Sequence, residues 1–504
     1  MTLKRLRQII AALFLLLFSL AFVETGLLPD RLFGAIAHTQ IIPSVMGILT
    51  GAGIFFALSF ILVLIMTAIF GRVYCSFLCP LGIFQDFLAR IFYKKKNSQT
   101  YPLQRIIQGT LFFGIIITAV LGSVWIINIL DPYSLFGKIF SNIVRPVAYS
   151  LNNGVVKLLQ NLDIYSLPVL KFGTMPSTIL AFSFLFFSIL IFSAMFSRRF
   201  FCTTLCPAGF FLSLFAGKSV YRIRFNEENC TQCTLCSRVC KTDCIDYENT
   251  RVKNNECVAC FDCLSACPAS ALTYSAHKQE KVFNPGKREL LISSGVAAAF
   301  LLPFPFRKTA KAKIKSGQPV MPPGAQNRDH FTTSCTSCQL CVTHCPTNVI
   351  TPSIHQYGLS GLFQPHMDFN KSYCEYDCNI CTTICPSDAM RKLPMKTKQL
   401  TQLGKVELKT DLCVVYINDT DCGACAEGCP THAVYTVMEN NINYPKTRTD
   451  ICIGCGACQY MCPVMPKAIV VNGNSNQVLA DPPNEDDQQS PQKQVDNSEE
   501  EFPF

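Results

Sequence analysis

Cys335-Thr336-Ser337-Cys338-Gln339-Leu340-Cys341-Val342-Thr343-His344-Cys345-Pro346 spaces four cysteines as C-x2-C-x2-C-x3-C-P, and the same spacing returns at Cys452, Cys455, Cys458 and Cys462. Two further quartets lie between them, Cys374/Cys378/Cys381/Cys385 and Cys413/Cys422/Cys425/Cys429, and all four end in Cys-Pro. Three closely spaced thiolates suit three corners of a cubane, while the fourth, a helical step away, reaches a second cluster. Structural zinc sites instead join two separated C-x2-C pairs. Cysteines so close in sequence, with proline behind them, also make poor disulfides. The spacing points to 4Fe-4S clusters and electron transfer.

Working outward, the 504 residues hold 29 cysteines. Six quartets take most of them: the four above, Cys230/Cys233/Cys236/Cys240 and Cys257/Cys260/Cys263/Cys267. Two C-x3-C-P pairs follow apolar stretches, Cys75/Cys79 and Cys202/Cys206, and Cys244 is left over. Only 15% of residues are charged and 49% are hydrophobic, which indicates a membrane protein with soluble parts. The net charge of +10 gathers at the ends of apolar spans rather than on one soluble face, so it reads as membrane topology and not as a nucleic-acid surface.

Four spans are expected, at about Ile9–Val23, Ile41–Phe70, Ile106–Leu130 and Thr178–Phe196. The first follows Lys4, Arg5 and Arg7 and lacks a small-x-small cleavage site, so it reads as an uncleaved anchor with a cytoplasmic N-terminus. The stretch from Asp131 to about Ser177 carries few basic residues and is expected to be an outer loop. Spans two and four each exit through arginine, aromatic residues and C-x3-C-P, an internal repeat that puts both cysteine pairs on one membrane face. Cysteines four apart share a helix face. Two such pairs brought together suit a further cluster or a soft ion such as copper(I); otherwise they are small residues buried at helix ends.

The two quartets after the fourth span resemble a two-cluster bacterial ferredoxin. That resemblance implies that Cys230, Cys233, Cys236 and Cys267 hold one cluster and Cys257, Cys260, Cys263 and Cys240 the other. Among the last four quartets the spacing leaves two ligand-sharing schemes open: neighbours pair, one with two and three with four, or the pairing is nested. Cys244 reads as a small buried hydrophobe or a spare ligand. A short apolar run beyond Lys287-Arg288 reads as a fifth span or an export signal, against a buried helix that would leave everything beyond it cytoplasmic.

No histidine lies inside a span and no C-x-x-C-H occurs, so haem is not expected; without G-x-G-x-x-G, neither is a flavin or nicotinamide site. The expected two-electron donor at the membrane is a quinol. Glu24, Asp86 and Asp131 lie near span ends, where solvated helix ends are commoner than catalytic bases, and no catalytic residue is assigned.

Gly71-Arg72-Val73-Tyr74-Cys75 through Cys79-Pro80, the second copy at Cys202 to Pro207, four spans and the following ferredoxin resemble the membrane quinol-dehydrogenase component of periplasmic nitrate reductase systems, the NapH type. Lys287-Arg288, Pro322-Pro323-Gly324-Ala325, Phe331 and the last four quartets resemble the exported four-cluster ferredoxin of NapG or MauM type. The chain is thus similar to both partners fused, which implies electron flow from the membrane quinone pool to a periplasmic terminal reductase, or its electron-carrier subunit, in anaerobic respiration.

The expected fold is a polytopic α-helical membrane domain plus α+β ferredoxin-like iron-sulfur domains, one two-cluster and one four-cluster. Its parts are a four-span domain at 1–225, a two-cluster domain at 226–275, a fifth span or Tat-like internal signal anchor at 284–306, a linker at 307–330, a four-cluster domain at 331–471 and a disordered acidic tail at 472–504. The expected cofactors are six 4Fe-4S clusters. In a bacterial inner membrane the two-cluster domain would be cytoplasmic and the four-cluster domain periplasmic. Two rival functions fit the cysteines, a metal-handling assembly factor that reduces copper and a redox-sensing regulatory protein.

Overall fold

The computed structural model describes residues 3–23, 29–51, 53–93, 102–120, 122–170, 173, 176–276 and 318–483. The expected fifth span or signal at 284–306, Glu24 and the tail beyond 483 lie outside the described residues.

Helix α1, Leu3–Val23, is about 30 Å long at 1.5 Å per residue. Arg7, Ala11, Phe18 and Phe22 lie on its buried face, whereas Ile9, Leu13 and Leu16 point outward. Short helices α2 (Asp30–Ala37) and α3 (Ile41–Leu49) precede α4 (Ile54–Phe70), so the expected second span is two helices. The reason is local: Gly51 and Gly53 adopt φ of 73° and 114°, a backbone region that ends a helix and suits glycine. The Gly47 position then lets the Phe56 ring of α4 lie directly against α3.

Two helices follow the first exit, α5 (Tyr74–Phe77) and α6 (Pro80–Phe92). The third expected span divides likewise into α7 (Pro102–Val120) and α8 (Trp125–Leu130), with Gly122 at φ 79° between them. The expected outer loop is instead helical. Helix α9 (Pro132–Ile139) continues through a π-helical turn at Phe140–Val144 into α10 (Arg145–Gln160). Asp131 caps it, accepting from the Tyr133 and Ser134 backbone N–H groups. Tyr133, Phe136 and Ile139 are buried in the main core, so it is their apolar period, which a count of charges misses, that decides the structure. Helices α11 (Ser177–Phe196) and α12 (Pro207–Ala216) complete the helical part. Helices α1 and α11 are each long and apolar enough to cross a membrane.

The two-quartet unit pairs β1 (Tyr221–Phe225) with β4 (Leu272–Ala276), and β2 (Ile245–Asp246) with β3 (Arg251–Val252), all antiparallel. The four-quartet unit pairs β5 (Ile350–Pro352) with β6 (Pro365–Met367), β7 (Thr401–Leu408) with β10 (Ile469–Leu479), and β8 (Val434–Glu439) with β9 (Ile442–Thr447). This unit is larger than the sequence suggests. Strand β10 runs past Val471, the expected limit, because Val478 and Leu479 still pair with Gln402 and Thr401. At its other end, Gln318 and Val320 of the expected linker accept backbone hydrogen bonds from Gly473 and Met367.

The two units sit at opposite ends of the helices. Near the start of α1, the Lys4 ammonium lies 3.1 Å from the Ser265 hydroxyl and 3.5 Å from Asp262 of the two-quartet unit. At its other end α1 packs against the short helix Leu340–Thr343 of the four-quartet unit. The other paths agree: Tyr274 donates to the Phe70 carbonyl at the end of α4, and Asn128 of α8 donates to Leu362. In α11, Phe182 near the start meets Phe363 edge-on, while Arg198 just past the end donates to Val239.

Asp86 of α6 fixes one end of this arrangement. Its carboxylate receives two 2.7 Å hydrogen bonds from Arg199, one of 2.7 Å from Lys241 and one of 3.1 Å from Arg7. Burial alone would raise its pKa, but the Arg199 and Lys241 charges and their hydrogen bonds outweigh that and hold it well below the usual carboxylate range. Asp86 is therefore a fixed anion and no proton acceptor. Replacing Asp86 with Asn should cost about 3–5 kcal/mol, because cations are left buried without a counter-charge, read as a lowered midpoint in thermal unfolding. The wild-type advantage should be full above about pH 4, the ordinary carboxylate value, and should shrink as the pH falls below it.

Candidate iron-sulfur sites

The sharing of ligands follows from where the chain brings the thiols. One cavity is lined by Cys230, Cys233, Cys236 and Cys267, and another by Cys257, Cys260, Cys263 and Cys240. These are the two sets that the ferredoxin resemblance implies. In the four-quartet unit, Cys374, Cys378 and Cys381 share a cavity with Cys345, and Cys413, Cys422 and Cys425 share one with Cys462. Cys335, Cys338 and Cys341 have Cys385 as a neighbour, and Cys452, Cys455 and Cys458 have Cys429. Of the two schemes left open by spacing, this grouping of thiols matches the one with neighbours paired, one with two and three with four.

Four of the six loops are shaped by one backbone device. The residues flanking the second cysteine are left-handed in each: Gln232 and Thr234, Ala259 and Phe261, Ser337 and Gln339, Gly454 and Gly456. This curls the loop so that N–H groups turn inward, making the kind of concavity that binds anions. Accordingly, the Ser337 N–H donates to the Cys335 Sγ at 3.4 Å, and the N–H groups of Ala259, Leu340, Gly454 and Ala457 turn toward the thiols of Cys257, Cys338, Cys452 and Cys455, each two residues earlier. The two quartets with irregular spacing, beginning at Cys374 and Cys413, do not use it. Only Gly454 and Gly456 betray the device in sequence; elsewhere non-glycine residues hold the strained conformation, which implies support from their surroundings.

Burial pushes the Cys338 and Cys455 thiols up to about 12, so a cationic core is what would draw off their protons. Compact quartets, inward N–H groups and buried sulfurs fit a 4Fe-4S cluster, which supplies one-electron exchange when bound. Cys244 lines the Cys240 cavity as a fifth sulfur, 3.6 Å from the Cys240 Sγ.

The two C-x3-C-P pairs also converge. Cys79 and Cys206 stand at the N-caps of α6 and α12, which Pro80 and Pro207 open. All four thiols are buried. Between these pairs and the four-quartet unit lies Asp131, fully buried, whose Oδ2 is 2.7 Å from the Ser134 hydroxyl. That hydroxyl is also 2.6 Å from the Thr336 carbonyl of the first loop. One hydroxyl hydrogen faces two acceptors, so a proton arriving on Asp131 would satisfy both contacts. The expectation of a solvated helix end does not hold for either Asp86 or Asp131.

Fold and sites together define an iron-sulfur electron-transfer protein of ferredoxin type. The model of the 4Fe-4S binding domain matches residues 52–99 and 179–226, and that of the 4Fe-4S dicluster domain matches 256–349, 334–389 and 420–465. Among similar proteins, an uncharacterized protein of Methanocaldococcus jannaschii is 27% identical over 43% of this chain and 76% of its own length. The ferredoxin-type protein NapF of Escherichia coli is 28% identical over 30% of this chain and 84% of its own, and NapG of Escherichia coli is 28% identical over 33% and 74%. The chain resembles a fusion of Nap-type ferredoxin components.

The sharing scheme gives a direct prediction. Cys385→Ser should abolish the signal of the centre held by Cys335, Cys338 and Cys341 and spare that of Cys374, Cys378 and Cys381, as read by electron paramagnetic resonance of the reduced chain. Loss of the second centre instead would refute the pairing.

Proposed function

We propose that this chain is a membrane-bound electron-transfer protein that takes electrons from quinol and passes them, through six 4Fe-4S clusters, to a periplasmic terminal reductase such as nitrate reductase. The observation that carries this reading is the placement of two ferredoxin-type units at opposite ends of one apolar helical layer. Helix α1 is long enough for a hydrocarbon core of about 30 Å, and its outward face is a stripe of Ile9, Leu13 and Leu16. Leu58 and Leu62 of α4 and Leu185 and Phe192 of α11 extend the exposed apolar belt, a surface that suits lipid. Helices α1 and α11 each meet the two-quartet unit at one end and the four-quartet unit at the other, which supports a polytopic helical part. With Lys4, Arg5 and Arg7 at the start of α1, the positive-inside rule puts the two-quartet unit in the cytoplasm and the four-quartet unit in the periplasm.

Quinol oxidation releases two electrons and two protons. Asp131 is placed to take a proton beside the first loop of the four-quartet unit, and its Ser134 partner connects it to Thr336. Asp86, held as an anion by its cations, is not. The resemblance to Nap components supports a reductase as the final acceptor.

Reconstituted in proteoliposomes, the chain should lose cluster absorbance on addition of a menaquinol analogue. Asp131→Asn keeps an oxygen for the helix cap but exchanges no proton, so it should slow that reduction on the order of a hundredfold, the low end for a general base, while dithionite reduces both proteins equally. Clusters that dithionite reduces and quinol does not would sink the quinol reading. A reporter fused after residue 483 tests the topology, with periplasmic activity expected.

A further inference from the structure

The cysteines outside the six quartets occupy the point where the two halves of the internal repeat face each other. Cys75, Cys79, Cys202 and Cys206 are mutual neighbours there, and all four are buried. The surroundings repeat with them. A Cβ at Gly82 would fall 2.5 Å from the Cys75 carbonyl oxygen, and one at Gly209 would fall 2.7 Å from the Arg72 guanidinium and 2.9 Å from the Cys202 carbonyl oxygen. Glycine in each half therefore lets a helix close on its own cysteine loop and on the arginine of the other half. Arg199 donates to the Cys75 carbonyl at 2.9 Å, and Gln108 donates to the carbonyls of Cys202 and Cys206, both at 2.9 Å.

The two arginines differ in one respect. Arg199 is neutralised by Asp86. Arg72, 2% exposed, has no carboxylate partner among the described residues, its Nε is unpaired, and the contact seen for its guanidinium is the Cys75 sulfur at 3.9 Å. A guanidinium buried without a counter-charge is costly, and thiolates are the anions this site can offer. Thiolates persist in a buried site when they ligate metal. Among the described residues, no three of these side chains close on a point that would seat one ion. The same is true of the six quartets, whose spacing marks them as cluster sites.

We propose that Cys75, Cys79, Cys202 and Cys206 together bind a seventh iron-sulfur centre, which relays electrons between the two-quartet and four-quartet units. Toward the two-quartet unit, Arg72 also faces Cys257 and Arg199 faces Cys260, and Ser76 donates to the Val258 carbonyl at 2.7 Å. Toward the other, Tyr74 lies near both Cys79 and Asp131, and Tyr133 lies near Asp131, Cys338 and Cys385. One continuous buried core contains Cys260, Cys75, Cys79, Cys206, Tyr74, Tyr133 and Cys338. The step moves one electron from a reduced centre to an oxidised one, with no bond made or broken.

The proposal rests on the iron-sulfur reading of the chain but not on quinol as the donor, and its test needs neither quinol nor a terminal reductase. The full chain, purified without oxygen, should contain iron and acid-labile sulfide beyond what six quartets account for, with the excess seen by Mössbauer spectroscopy as a distinct centre. Cys79→Ser with Cys206→Ser should lose that centre alone. In proteoliposomes, a membrane-impermeant reductant should reduce both units of the wild type but only the facing unit of the double variant. A wild-type content matching six clusters would overturn the proposal, whether or not the variant folds. So would a double variant that keeps the excess.

Discussion

A single buried carboxylate holds the architecture in register. Asp86 accepts from Arg7 on the first helix, from Arg199 at the exit of the second repeat half and from Lys241 beside a quartet ligand. Three segments distant in sequence are therefore fixed to one point, and Lys241 continues to Asp262, which Lys4 also meets. Such a cluster is not a simple gain in stability, since several ions have been taken out of water. Its value is positional: with Arg199 clamped at both guanidinium edges, the Cys75 carbonyl it binds has one place to be. The same clamp leaves Arg72 as the uncompensated member of a symmetric pair, and that asymmetry gives the four-thiol site its need for negative charge.

The ferredoxin-type units solve a different problem. A loop must present three sulfurs to one point and still offer backbone hydrogen to the charge that gathers there. Left-handed residues on both sides of the second cysteine achieve this in four loops, at a local cost of about 1–3 kcal/mol per strained non-glycine residue. The two irregular quartets do not use this device and change the spacing instead. Their extra residues, as in the long step from Cys413 to Cys422, let the chain arrive from another direction. The departures from the plain motif are thus alternative ways of gathering three ligands.

Much of this was legible in the sequence, for reasons that differ from part to part. The cysteines announce themselves because ligation fixes residue type and spacing together. The sharing of the fourth ligand does not, because Cys385 and Cys429 reach their sites only through the packing of paired motifs. Apolar stretches were visible as stretches, but their interruption at Gly51 and Gly53 was not, since glycine is tolerated inside apolar helices and only the backbone angle reveals a break. In the segment after Asp131 low charge suggests a loop, whereas Tyr133, Phe136 and Ile139 carry a helical apolar period. The role of Asp86 is hidden in sequence because its partners Arg7, Arg199 and Lys241 are 79, 113 and 155 residues away.

The separation of the two units poses the final constraint. A layer thick enough to insulate a membrane is too thick to be crossed by one electron step unless something redox-active lies within it. The buried core is not uniform hydrocarbon: it carries four thiols, two arginines and two tyrosines along the line between the units. In a low-dielectric interior an electron arriving on an anionic centre is strongly opposed unless positive charge is already nearby. Arg72 supplies that charge without a carboxylate to cancel it, while Arg199, tied to Asp86, contributes geometry more than field. The pair of half-sites thus has both features a relay requires, a common ligand set and a preplaced counter-charge. An incidental clustering of small residues at helix ends would require neither.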